Sequence, residues 1–327
     1  MRPLRLRKTA ITTAAVTAAA LVLGACSGPG GDGDGKAADA QSRTVDTADG
    51  TVDVPFKPVR VAALDNTSFA TLKAFGVTPV AAPKSLLPKT GYEDWVKDEK
   101  VADAGGHREP LFEAVNEAEP GLTIGGYRFA EHTGTLNKIA KTIDVSPDDE
   151  AEGGYVASPK KQTRTLGAIF GQEAKAAELV AALDASAEAA GRATNGESVF
   201  LGVASAGRID NGASRIGRLM APLSLKNVLD PAGQDSTSVH NDSGLAPETI
   251  AQLNPDWMIL FDRDAAVGKG DNTAAKALVD GQQAWAKTTF RTKDQIVHLA
   301  PDFYLTEGIQ AYTEAFGQVA GAFAAKS

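Results

Sequence analysis

Three arginines in this chain of 327 residues sit in local settings that suit ligand capture: Arg128 in GGYRFAEH, Arg215 in NGASRIGRL and Arg263 in LFDRDAAVG. Each follows a strand-like run or lies in a Gly- and Ser-rich turn. Arginine keeps its charge and presents five donors in a planar fork, which matches a large ligand carrying several anionic or carbonyl oxygens. The competing use is a structural ion pair, above all at Arg263, flanked by Asp262 and Asp264. Catalytic chemistry is thinly supplied. Ser205 in GVASAG lacks the nucleophile-elbow spacing, and no Walker A or G-x-G-x-x-G follows a strand. His107, His132, His240 and His298 are scattered, with neither H-x-H nor H-E-x-x-H among them.

The elements that must position these arginines are written twice. Glu113, Pro120, Ile124 and Arg128 recur 135 positions later as Glu248, Pro255, Ile259 and Arg263. In each copy a helix-like run carries the glutamate, LFEAVNEAEP or PETIAQLNP, and a proline ends it. A short apolar strand, GLTIG or DWMIL, then leads to the arginine. The duplication predicts two lobes, each aiming one arginine from a strand end. Open α/β sheets bind ligands beyond the carboxyl ends of their strands, so the two arginines are expected to face each other across a cleft.

Around these copies, strand and helix alternate. VRVAAL reads as a strand, SFATLKAF as a helix stopped by Gly76, and VTPVAA as the next strand, a pattern that implies a mostly parallel sheet. From Pro159 to Gly191 apolar residues keep three- and four-residue spacing, which predicts one long helix between the copies. The alternation resumes with SVFLGVAS and ends in a helix over about 307–325. The predicted fold is α/β: a lobe over 45–158, a single long bridging helix over 159–191 and a second lobe over 192–327.

Residues 1–25 read as a secretion signal, with Arg2, Arg5, Arg7 and Lys8 ahead of an apolar core. Leu23, Gly24 and Ala25 before Cys26, the chain's one cysteine, form the pattern of lipoprotein processing. Cys26 is the expected lipidation site, and no disulfide is available. Residues 26–44 are rich in Gly, Asp, Ala and Ser and are expected to be a flexible tether. Removing the signal takes four basic and no acidic residues and shifts the formal charge from −8 to −12, which argues against a nucleic-acid partner.

From PFKPVRVAALDNTSFATLKAFGV through GHREPLFEAVNEAEPGLTIGGYR to PDFYLTEG, with the lipobox and the segment order, the chain resembles the substrate-binding lipoproteins of iron-siderophore ABC importers. That resemblance implies the class III fold, two Rossmann-like lobes joined by a helix. It implies that Arg128, Arg215 and Arg263 clamp the oxygens of a ferric complex. His240 in STSVHND and Tyr304 in PDFYL match residues that reach the ligand or its iron in some members. Both segments depart from the family pattern, with Val239 before the His, Asn241 in place of a Gly, and one aromatic fewer before Tyr304. Tyr127 and Phe129 are expected to add aromatic contact. Glu113 and Glu248 match the one surface glutamate per lobe that docks on the ABC permease dimer.

The implied protein is a monomeric receptor and not an enzyme. It has no cofactor and no metal of its own, because iron arrives chelated, and it is lipid-anchored to the outer face of the cytoplasmic membrane. The alternatives are a haem or cobalamin receptor of the same fold and, from a different class, a secreted siderophore esterase. A tris-catecholate and a tris-hydroxamate both suit the arginines.

Overall fold

Val199, Leu201 and Val203 alternate with Phe200, Gly202 and Ala204 along one strand, and every one of them is buried. A strand apolar on both faces must lie inside a covered sheet, as parallel strands with helices above and below do. In a computed structural model of the chain, which describes residues 41–229, 244–268 and 274–326, two such sheets are present.

Strands β1 (Ser42–Thr47) and β2 (Gly50–Pro55) form an antiparallel hairpin. The first sheet contains β3 (Val61–Ala63), β4 (Ala81–Ala82), β5 (Ala102–Asp103), β6 (Leu122–Gly125) and β7 (Thr142–Asp144). They are all parallel, in the order β5-β4-β3-β6-β7. The second contains β8 (Ser198–Ser205), β9 (Arg208–Asn211), β10 (Lys226–Asn227), β11 (Trp257–Asp262) and β12 (Ile296–His298). Its parallel order is β10-β8-β11-β12, with β9 antiparallel against β8. In each sheet the first strand is followed by neighbours on one side and later by neighbours on the other. The switch points therefore fall between β3 and β6 and between β8 and β11.

One core lies under the first sheet, including Val61, Leu122, Ile124, Phe69 and Trp95. The second sheet has a core on each face: Val199, Leu201, Trp257, Ile259 and Phe261 on one, Phe200, Met258, Leu260, Trp285 and Phe290 on the other. The two-lobed α/β layout expected from the sequence is present. The expected single helix over 159–191 is not continuous; it is two helices, Ala157–Phe170 and Glu173–Ala193. Gly171 sits at φ 64°, and the N–H groups of Gly171 and Gln172 both donate to the carbonyl of Gly167, a left-handed helix stop. The apolar spacing runs through this stop unchanged, so periodicity alone could not reveal it.

The bridging role falls to the second of these helices. Ala176 near its start belongs to the first core, and Val180, Leu183, Ala187 and Ala190 belong to the second. Leu179 packs against both. Folded structure also begins earlier than the expected boundary at residue 45, because Ser42 opens β1 and Val45 and Val54 of the hairpin join the first core. The signal at 1–25, Cys26 and His240 lie outside the described residues.

The lobes meet along residues 302–310. Asn66 Nδ2 donates to the Leu305 carbonyl at 2.6 Å, and Thr71 Oγ1 donates to Gln310 Oε1 at 3.3 Å. Gly308 comes so close that a Cβ there would lie 2.2 Å from the Thr67 carbonyl oxygen.

Candidate functional site

The repeated pattern lands on equivalent elements. Glu113 is exposed in the first turn of helix Phe112–Glu117, and Glu248 is exposed in the first turn of Pro247–Leu253. Glu119 and Asn254, the residues before Pro120 and Pro255, are both left-handed, at φ 43° and 44°. Ile124 pairs with β3 in the first sheet and Ile259 with β8 in the second. Arg128 follows β6 and Arg263 follows β11, so each arginine leaves the carboxyl end of a strand beside a switch point.

Arg215, in the turn of helix Ala213–Ile216, completes the set. The three guanidinium groups converge on the Tyr304 ring, with Arg128 at 5.6 Å, Arg215 at 4.9 Å and Arg263 at 5.7 Å from its centroid. Tyr304 is buried and stacked on Phe261 at 5.8 Å. It is thus a floor under the arginines, its negative π face turned to three cations. The Nε atoms of Arg128, Arg215 and Arg263 are all buried and have no hydrogen-bond partner among the described residues.

The outer nitrogens differ. Arg128 is 8% exposed; its Nη1 lies 3.0 and 3.2 Å from the two ring nitrogens of His107, and its Nη2 donates to the Tyr304 carbonyl at 3.5 Å. Partial burial, Arg128 and then Arg108 push the His107 pKa down to about 4, so the imidazole is neutral at ordinary pH and accepts from Arg128. Arg215 pairs with Glu307 and donates to the Tyr127 hydroxyl at 3.2 Å. Tyr127 donates in turn to Glu307 Oε2 at 2.7 Å. Arg218 donates to Glu307 Oε1 at 3.0 Å, pairs with Asp149 at 2.7 Å and covers the Tyr155 ring at 4.4 Å. Arg263 is more open; it donates to Ser205 Oγ at 3.4 Å and lies 3.7 Å from Asp264.

Tyr127 holds its place at φ 46°, a left-handed conformation unusual for a bulky residue. Its N–H donates to Ser146 Oγ, which donates to Asp144. Phe129, expected to touch ligand, is fully buried in the first core, because the turn over Tyr127–His132 directs it inward. A cavity of about 350 Å³ opens between Arg108, Tyr127, Arg128, Ala130, Glu131 and Arg215.

Residues 61–303 match the family described as periplasmic binding protein. The chain belongs to that family. It is 31% identical over 227 residues to the petrobactin-binding protein YclQ of Bacillus subtilis, covering 67% of this chain and 68% of that one. The crystal structure of YclQ superposes with a TM-score of 0.74 at 25% identity, over 86% of this chain and 99% of that one. The periplasmic catecholate-siderophore binding protein VctP of Vibrio cholerae matches in fold, with a TM-score of 0.73 at 22% identity over 87% of this chain and all of that one.

Three residues of this binding protein's site were not singled out from sequence. Arg218 had a usable signal, three positions after Arg215 and so on the same side of a helical turn. His107 lay in a Gly-rich segment with no periodicity to place it. Glu307 stood beside PDFYL, where nothing in the pattern foretells a buried carboxylate.

Proposed function

We propose that this chain captures a ferric siderophore between its lobes, outside the cytoplasm and tethered by lipid at Cys26, and delivers it to an ABC permease without transforming it. The observation that carries this reading is the ring of three guanidinium groups around Tyr304, each with a buried and unpartnered Nε. Arginine keeps its charge and offers a planar fork of donors, so three guanidinium groups in one place suit an acceptor-rich guest. The similarity to the petrobactin-binding protein YclQ supports a ferric siderophore as that guest. Glu113 and Glu248 support the delivery step: both are exposed, at matching first turns, one per lobe.

The test is calorimetric titration of the protein starting at Ser27 with a ferric tris-catecholate, a ferric tris-hydroxamate, haem and cobalamin. Saturable binding of a ferric siderophore with no response to its iron-free form is expected. Binding of haem or cobalamin alone, or of nothing, would overturn the assignment. Glu113→Arg with Glu248→Arg should leave this binding unchanged while abolishing iron uptake by cells; unaltered uptake would remove both glutamates from docking.

A further inference from the structure

Glu307 is a residue the fold would not place without a return. It is 0% exposed, and it occupies a left-handed position at φ 44°, closing the helix Asp302–Thr306. A Cβ costs energy in that backbone region, and an isolated carboxylate costs far more when removed from water. Both its oxygens are engaged: Oε1 accepts from Arg218 at 3.0 Å, and Oε2 accepts from Tyr127 at 2.7 Å and from Arg215. Burial opposes the charge on Arg215, and Glu307 overcomes that opposition, holding its pKa above the usual guanidinium range.

This carboxylate divides the arginines. Arg128 meets a neutral imidazole and a main-chain carbonyl and makes no direct ion pair among the described residues, so more of its charge is left for the cleft. Arg215 and Arg218 share a buried anion, and Arg218 also pairs with Asp149. Counted alone, the four guanidinium groups of Arg128, Arg215, Arg218 and Arg263 would favour the most anionic ligands. Counting Glu307, the positive field is weaker by one buried charge, at the distance where screening by water is least.

We propose that Glu307 is a specificity-determining residue: an internal counter-anion that stands in for a ligand carboxylate on Arg215 and Arg218 and lowers the preference of the cleft for highly anionic ferric complexes. This rests on the siderophore reading above. It assigns Glu307 and Arg218 to setting ligand charge, through Arg215, while Arg128, which has no direct ion pair among the described residues, supplies the grip.

The test is a charge ladder at one wall of the site: Arg218→Gln, wild type, Arg218→Gln with Glu307→Gln, and Glu307→Gln. For each, calorimetry gives the ratio of affinities for a ferric tris-catecholate, with about three negative charges, and a neutral ferric tris-hydroxamate. The ratio is expected to climb on the order of tenfold from Arg218→Gln to wild type and about tenfold again to Glu307→Gln, with the double variant equal to wild type because it removes one charge of each sign. A ratio that stays flat, or a double variant that departs from wild type as far as either single one, would overturn the role of Glu307. Should Glu307→Gln alone fail to fold, the comparison of Arg218→Gln with wild type and the double variant decides the matter in the same way. Failure of the wild type to bind either complex would instead sink the siderophore reading.

Discussion

The two lobes place an arginine at the same point of the same scaffold and then treat it differently. Arg128 follows β6 and Arg263 follows β11, each beside the first strand of its sheet. Near the carboxyl end of that first strand the first lobe buries Asp65, two residues past β3, and the second buries Ser205, the last residue of β8. Arg128 is enclosed and leans on neutral His107. The Arg263 side chain is 31% exposed, touches Ser205 and lies near Asp264. The backbone layout delivers the guanidinium group, and the neighbours decide how much of its charge a guest feels.

The largest expected difference is in affinity. Arg128→Ala should weaken binding of a ferric tris-catecholate on the order of 100-fold, near the upper end for losing charge-assisted hydrogen bonds in an enclosed site. Arg263→Ala should cost less than about tenfold, because water and Asp264 already screen that group. Equal losses in the two titrations would show that the lobes grip alike.

A smaller effect concerns stability. Burial raises the Asp65 carboxyl to about 7, against the hydrogen bonds from Thr67, with Asp144 adding to the rise and Arg128 offsetting it. The folded state therefore holds a proton that the unfolded chain has released by about pH 4, and stability is lost as pH rises from there through about 7. Asp65→Asn keeps an acceptor for the Thr67 N–H and should raise the unfolding temperature at pH 8 by roughly a few degrees, with the gain shrinking below pH 5. Ser205→Ala, at the carboxyl end of the first strand in the second lobe, should show no such pH dependence. A gain from Asp65→Asn that is the same at both pH values would mean that Asp65 is not protonated in the fold.

Much of this architecture was legible because it rests on period and order. The two-lobed α/β layout and the Glu–Pro–Ile–Arg repeat follow from residues that must lie on particular faces of particular elements, and the structure places them there. Arg128, Arg215 and Arg263 stood out by their local settings, and the family resemblance implied a ligand clamp; their convergence on a buried Tyr304 emerges only in the structure. The break at Gly171 was hidden because the apolar stripe continues across it. Phe129 reads as an aromatic beside an arginine, yet its direction is set by a turn whose left-handed Tyr127 no propensity foretells. Glu307 and His107 were invisible for the same reason: their surroundings are built by chain segments far away in sequence, at Tyr127 and Arg128.

The contact between residues 302–310 and the first lobe has an entropic side. A main-chain approach as tight as that of Gly308 to Thr67, with the bond from Asn66 to Leu305 beside it, fixes the gap between the walls before any guest arrives. A host already ordered gives up little conformational freedom on filling, so more of the contact free energy remains as affinity.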